Sequence, residues 1–325
     1  MRKKKRGLPQ MKQFRKILLT GCLILLLFTG CGSSRNPSTP GKGGHKLQNG
    51  KLSVCASFYP MYDFARKIGG GKVLVTNMVP AGTEPHDWEP AASDIVTLEK
   101  ADVFVYNGAG LEGWAKGVLA SLQNRNLIPV EASKDVPLLK GQSSEKKKGN
   151  NPSSDPHVWL NPQYAKKEME NIKNGFVKAD PGNKSYYEAN YAKYAGETDQ
   201  LDRELKDTFS ALPKKDIVVA HQAFGYLCEA YGLHQIGVEG LVPDSEPDPA
   251  RMAEIIELAR KYGVKVIFFE ELVSPKVSET IADAVGAKIA VLNPIEGLSE
   301  KQLASGDDYF SVMRQNARAL KKALQ

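Results

Sequence analysis

Two short stretches of this chain repeat one phrase, TEPHDWEP (Thr83 to Pro90) and DPHVWLNP (Asp155 to Pro162). Each puts an acid and a proline ahead of a histidine, and a tryptophan two residues after it. The chain holds only five histidines and three tryptophans, so the repetition asks for a chemical reason. A third histidine, His221, ends the apolar run DIVVAH. Neutral imidazoles suit a borderline cation such as zinc. Pro85 and Pro156 fix φ and remove a donor, which sets His86 and His157 on stiff backbone. Trp88 and Trp159 are placed to wall such a pocket from water. Three imidazoles leave a fourth position and uncompensated positive charge, and that calls for a carboxylate. Glu270 and Glu271 end VKVIFFEE, while Glu296 lies in LNPIEGLSE after the last apolar run. Glu270 also suits a supporting role, accepting from the far ring nitrogen of a ligand imidazole. His45 and His234 lie in a polar stretch and at the start of a strand, away from any such site.

These residues need elements to hold them. In the first half KLSVCASF, KVLVTNMV, ADVFVYNG and NLIPVEAS read as strands, separated by helical MYDFARKIGG, AASDIVTLEK and EGWAKGVLASLQNR. In the second half the strands are DIVVAH, HQIGVEG, VKVIFFEE and AKIAVLNP, with helices AFGYLCEAYG, DPARMAEIIELARKYG and SPKVSETIADAVG. Asp248 and Ser274 are the expected N-caps of the last two helices, each followed by proline, and Gly232, Gly263 and Gly286 close helices. Strand and helix alternating at this spacing means α/β lobes with mostly parallel sheets. Ligands of such sheets bind beyond the carboxyl ends of the strands, where His86, His157 and His221 all fall. Between the halves, Asn183 to Leu212 has helical periodicity and no strand signal; at 1.5 Å per residue it would run about 40 Å as a stiff connector. KGQSSEKKKGNNPSSD (Lys140 to Asp155) is polar and reads as disordered. GGGK (Gly69 to Lys72) lacks the spacing of a phosphate loop, and HExxH, GxSxG and CxxC are absent.

The amino terminus is a leader. Residues 1–30 carry eight basic residues and no acid, and lead into ILLTGCLILLLF (Ile17 to Phe28), a signal core too short to span a membrane. LFTGC then ends in Cys31, followed by a Ser/Pro/Gly-rich tether. That pattern reads as a bacterial lipobox with Cys31 as the lipidated residue, although Phe28 stands where leucine is usual. Cys22 sits in a similar LTGC but has too little apolar sequence before it, and Met11 is an alternative start. The formal charge of +7 falls away with the leader, leaving 36 basic against 37 acidic residues. Nucleic acid is therefore excluded as a partner. Cys55 and Cys228 fall in different halves and make no disulfide framework.

The lipobox, FYPMYDFARKIGG, EPHDWEP, DPHVWLNP, VAHQAFGYLCEAYGL and VLNPIEGLS, in this order, resemble the zinc- and manganese-binding lipoproteins that feed bacterial ABC transporters. The resemblance spans the whole mature chain. It implies two similar lobes joined by one long rigid helix, with one metal ion in the cleft between them. Carried over residue by residue, it makes His86, His157, His221 and Glu296 the ligands. Pro294 and Gly297, flanking Glu296, fit a stiff turn with a sharp exit. The third histidine and the Glu of NPIEGL resemble zinc-selective members, with Mn2+ as the alternative cargo. Zinc members often carry a His-rich loop before the second ligand; Lys140 to Asp155 has no histidine and several lysines.

The expected organisation is a signal (1–30), a tether (31–50), an N-terminal lobe (51–182), a connecting helix (183–212) and a C-terminal lobe (213–325). The expected function is extracytoplasmic capture of Zn2+ by a monomer, anchored to the membrane through its lipid, and delivery to an ABC permease. Two other classes compete. A secreted zinc hydrolase needs an open metal position and a base, for which Glu270 is the candidate. An adhesin or scaffold with a structural metal would more often build its site from cysteine.

Overall fold

The computed structural model describes residues 50–141, 154–243 and 247–325. Cys31, His45 and the rest of the leader and tether lie outside the described residues.

The first lobe is a parallel sheet of β1 (Leu52–Ala56), β2 (Val73–Asn77), β3 (Val103–Tyr106) and β4 (Ile128–Glu131), in the order β2-β1-β3-β4. Helices α1 (Tyr59–Gly69), α2 (Ala92–Leu98) and α3 (Ala115–Ser121) connect these strands. After them come α4 (Pro162–Ala179) and α5 (Lys184–Ser210). The second lobe repeats the arrangement with β5 (Asp216–Val219), α6 (Gly225–Tyr231), β6 (His234–Gly237), α7 (Pro249–Lys261), β7 (Val266–Phe269), α8 (Lys276–Val285) and β8 (Lys288–Val291). Its sheet has the matching order β6-β5-β7-β8, again all parallel. The short α9 (Glu300–Ser305) and the long α10 (Tyr309–Leu324) complete the chain.

Side chains alternate across each strand, and that alternation decides which core they join. Leu52, Val54, Ala56, Val103 and Val105 face one large core, whereas Cys55 and Phe104 face a small one under α2 and α3. In the second lobe Ile217, Val219 and Phe268 join the same large core, and Val218 and Ile267 pack under α7 and α8. The large core is thus shared by both lobes and filled from α1, α4, α5, α6 and α10. The 27-residue α5 packs on α1 and α4 on one side and on α6 and α10 on the other, as expected of a joining helix.

A buried charge cluster adds a second tie. Lys67 on α1 binds Asp63 at 2.6 Å and Asp308, the N-cap of α10, at 2.9 Å. The Tyr309 N–H donates to Asp63 as well, and the Tyr309 ring meets Phe64 edge-on at 5.0 Å. Lys67 and Asp63 are largely removed from water and hold one another, while Asp308 stays partly exposed, so losing either of the first two would strand its partner.

Three expectations change. Helix α8 begins at Lys276, and the Pro275 carbonyl takes its first bond, from the Glu279 N–H at 2.9 Å. Pro275 rather than Ser274 therefore stands at the N-cap, while Ser274 Oγ accepts only a long bond, 3.4 Å, from the Lys276 N–H. Asp248, by contrast, caps α7 as expected, accepting from the Arg251 N–H at 2.8 Å. The stretch from Lys140 to Asp155 is ordered at both ends: Lys140 pairs with Ser154 in an antiparallel bridge, and the Asp155 N–H donates to Leu139 at 2.9 Å. Residues 142–153 lie outside the described residues. Two long helices, α4 and α10, go beyond the expected set. Asn161 starts α4 by accepting from the Gln163 N–H, with Pro162 as the first helical residue.

Candidate metal centre

Both sheets aim the carboxyl ends of their strands at one place. His86 lies in the loop after β2, and His157 precedes a 3-10 turn (Val158–Leu160) that feeds α4. His221 comes two residues after β5, and Glu296 follows β8. His157 and His221 are fully buried and Glu296 is 2% exposed.

Four donor atoms meet there. The Nε2 atoms of His86 and His157 are 3.2 Å apart, and those of His157 and His221 are 3.3 Å apart. Glu296 Oε1 is 2.9 Å from His157 Nε2, 3.2 Å from His86 Nε2 and 3.3 Å from His221 Nε2. A tetrahedron with metal–ligand arms of about 2.0 Å has edges of about 3.3 Å. The observed separations match those edges. Three nitrogen lone pairs and a carboxylate oxygen converging this closely repel one another unless a cation or a proton lies among them, so the arrangement must be held from outside.

The outer atoms do the holding. His157 Nδ1 lies 2.7 Å from Asp155 Oδ1, and His221 Nδ1 lies 2.6 Å from Glu270 Oε1. Each carboxylate accepts the Nδ1 proton and leaves the Nε2 lone pair facing inward, the tautomer a metal requires. Glu270 therefore takes the supporting position. Glu271 points elsewhere, to the Asn293 and Gln302 amides. Asp155 was passed over in the sequence because it ends a polar stretch; its place two residues before His157, beside Pro156, was the available signal. Glu84 stands at the same offset from His86 and, as Asp155 does for His157, accepts the backbone N–H of its histidine, at 3.1 Å, but its Oε2 is buried without a hydrogen-bond partner. The two frames share a spelling and differ in use.

The tryptophans also part company. Trp159 is fully buried, with its ring 5.4 Å from that of His157. Trp88 packs edge-on against Trp114 at 5.6 Å, toward the small core of the first lobe. His234 is exposed and faces Asp216, far from any cluster. Among the described residues, His86, His157, His221 and Glu296 form the one group of His, Cys, Asp or Glu donors close enough to hold a metal. A groove of about 380 Å³, lined by Tyr59, Tyr62, Asn77 and Leu298, reaches Glu296 from outside.

Charge follows this geometry. Burial disfavours the charged form of His157, but Asp155 and Glu296 outweigh it and raise its pKa to about 9. Burial likewise opposes the charge on His221, and Glu270 and Glu296 raise it well above the ordinary value. For His86 burial wins and the pKa falls. Burial works against the Glu296 carboxylate too, yet His221 and His86 hold it well below the usual range. Glu84 is pushed up to about 8 by burial and by Glu296.

The Glu296 turn is strained. Ile295 has φ +63°, in the left-handed region that costs a non-glycine residue about 1–2 kcal/mol.

Comparison with known proteins agrees with this site. Residues 54–323 match the family model described as ZnuA, zinc-uptake complex component A, periplasmic. The chain is 42% identical over 313 residues to the high-affinity zinc uptake system protein ZnuA of Bacillus subtilis, covering 94% of this chain and 96% of that protein. It is 36% identical over 311 residues to the zinc-binding lipoprotein AdcA of Streptococcus pneumoniae, and spans 60% of that longer protein. The crystal structure of the Zn(II)-bound ZnuA-like domain of that AdcA superposes with a TM-score of 0.74 over 85% of this chain and 99% of the domain. The laminin-binding protein Lmb of Streptococcus agalactiae, described as bifunctional with adhesin and metal transporting activity, superposes at 0.76 with 32% identity, covering 84% of this chain and all of that one.

Two outcomes follow from the geometry. Glu296→Gln should lower zinc affinity more than Asp155→Asn or Glu270→Gln, which should each cost about ten- to a hundredfold; competition titration against a chelator ranks them. Zinc binding should also release protons. His157, with its pKa near 9 in the metal-free protein, is protonated below that pH and must lose its proton to bind. Affinity should therefore tighten as pH rises from about 6 toward 9, and calorimetry in buffers of different ionisation enthalpy counts the protons. A pH-independent affinity would refute the proton competition.

Proposed function

Since the chain belongs to the zinc-uptake complex component A family, we propose that it captures Zn2+ outside the cytoplasm and delivers it to the permease of an ABC transporter. The ligands in this proposal are His86, His157, His221 and Glu296. The observation that carries it is the closed set of four donors, drawn from both lobes and held at tetrahedral separations. Four protein ligands fill the coordination sphere of zinc. No position is left for a reacting water, and Glu270, engaged with His221, is not free to act as a base. The site therefore suits holding an ion rather than doing chemistry with one, in keeping with a family of binding proteins.

Donor chemistry favours zinc over manganese. Three imidazoles and one carboxylate suit zinc, whereas manganese prefers more oxygen donors, and divalent affinity rises from manganese to zinc in such sites. A structural metal is a poorer account. The large apolar core runs through both lobes without the site, so removing the ion should leave the protein folded. Because one chain completes the site, a monomer suffices.

The same proposal takes residues 1–30 as a signal, Cys31 as the lipid-bearing residue and 31–50 as the tether to the outer face of the cell membrane. The lobes are then 51–182 and 213–325, joined by 183–212. Support comes from the lipobox pattern and from the pneumococcal relative, a zinc-binding lipoprotein. Among the described residues no helix is long and apolar enough to cross a membrane.

Direct competition should show zinc displacing manganese at equal concentrations, read by metal analysis of the purified protein; equal retention of both would remove the selectivity argument. Cys31→Ala should move the protein from the membrane fraction to the soluble one while leaving zinc affinity unchanged, since anchor and site occupy separate segments. Continued membrane association of that variant would overturn the anchor assignment.

A further inference from the structure

Trp159 ties the two lobes together at the site itself. Its indole N–H donates to the Pro294 carbonyl at 2.8 Å, two residues before Glu296. Its own carbonyl accepts from the Tyr309 hydroxyl at 2.8 Å, and His157 stands two residues before it. One residue of the first lobe thus bonds two points of the second, the Pro294 carbonyl and the Tyr309 hydroxyl, and it stands two residues from His157 while Pro294 stands two from Glu296.

The segment it grips is the strained one. Ile295 lies between Pro294 and Glu296 at φ +63°, where a β-branched side chain crowds its own backbone, and it is fully buried. Several bonds keep it there. The Ile295 N–H donates to Asn293 Oδ1 at 2.7 Å. Asn316, on α10, accepts from the Asn293 N–H at 2.9 Å and donates to the Asn293 carbonyl at 2.6 Å. Such strain persists only where the surroundings over-determine it, and it gathers at functional sites. Here the dihedral that is strained is the one that aims Glu296.

We propose that Trp159 and Asn316 are positioning residues: they hold Ile295 in its left-handed conformation and so keep the Glu296 carboxylate on the three imidazoles. This rests on the reading of His86, His157, His221 and Glu296 as the zinc ligands. A Trp159 that only filled the core would make a different demand. Its loss would then be indifferent to what residue stands at 295.

The test is a pair of substitutions made singly and together. Trp159→Phe keeps an aromatic ring against Phe58, whose ring lies 5.0 Å from that of Trp159, and removes the indole donor. Ile295→Gly removes the crowding, since glycine adopts positive φ freely. Trp159→Phe should weaken zinc binding about tenfold or more, through faster dissociation into a chelator, equivalent to about 1.4 kcal/mol per factor of ten. In the double variant most of that loss should be recovered, because an unstrained turn needs less holding. Thermal melting of the metal-free proteins, run in parallel, separates stability from affinity. Additive losses in the double variant overturn the proposal. So does an unchanged dissociation rate in Trp159→Phe while Glu296→Gln is impaired, an outcome that leaves the ligand reading standing. A wild-type protein without zinc affinity would sink both. Should Trp159→Phe not fold, Asn316→Ala removes the other clamp and is paired with Ile295→Gly in the same way.

Discussion

Four donor atoms from two lobes have to meet within about 3 Å of one another. Imidazole nitrogens and a carboxylate oxygen at these separations oppose one another unless a metal ion or protons lie among them, so the surrounding structure must supply the placement. It does so by denying the lobes independence. The inner faces of both sheets open onto one core, and α5 runs along its length. The Lys67 cluster and the Trp159 bonds close the remaining freedom near the cleft. A protein built on two separate cores and a flexible strand hinge would have to gather its ligands on each binding event, losing affinity to the ordering cost.

The second layer of charge explains how so polar a cluster is tolerated. Asp155 and Glu270 each fix an imidazole's tautomer, and their negative charge, added to that of Glu296, more than offsets a divalent ion. Metal-free, the same carboxylates hold protons on His157 and His221, which keeps the buried carboxylates paired. Ion and protons thus compete for one electrostatic well. Release of zinc to a partner then requires work on the site from outside.

Much of this was legible in the sequence. Apolar runs of four or five residues separated by amphipathic stretches are what two parallel sheets require, and all eight strands fall where those runs are. The three histidines stood out because prolines stiffen two of them and a strand end carries the third. Where the sequence misled, the cause was local composition. Asp155 closes a polar, lysine-rich stretch, yet it is 4% exposed and fixed by His157, because the chain there is turning into the α4 junction. Ser274 has the right chemistry for a cap and stands one place early, since the first bond of the helix ends on the Pro275 carbonyl. The two tryptophans share a motif and differ in place: Trp159 is wholly inside the large core, whereas Trp88 is partly buried between that core and the small one of the first lobe.

By itself, the sequence determined the residue types available to the site, the elements that carry them and the end of each sheet where they emerge. Those follow from local periodicity and backbone chemistry, which act over a few residues. Only the tertiary structure decided which carboxylate completes the cluster and which two support it. Glu270, Glu271 and Glu296 are alike in charge, and each stands beyond a strand of the same sheet. Their roles differ because β7 turns Glu270 toward His221 and Glu271 toward Asn293 and Gln302, while Glu296 is aimed inward by a left-handed Ile295. The bonds that set these roles join residues far apart in the chain, 49 positions for His221 and Glu270 and 210 for His86 and Glu296, and pairings of that range are set by packing rather than by any local pattern.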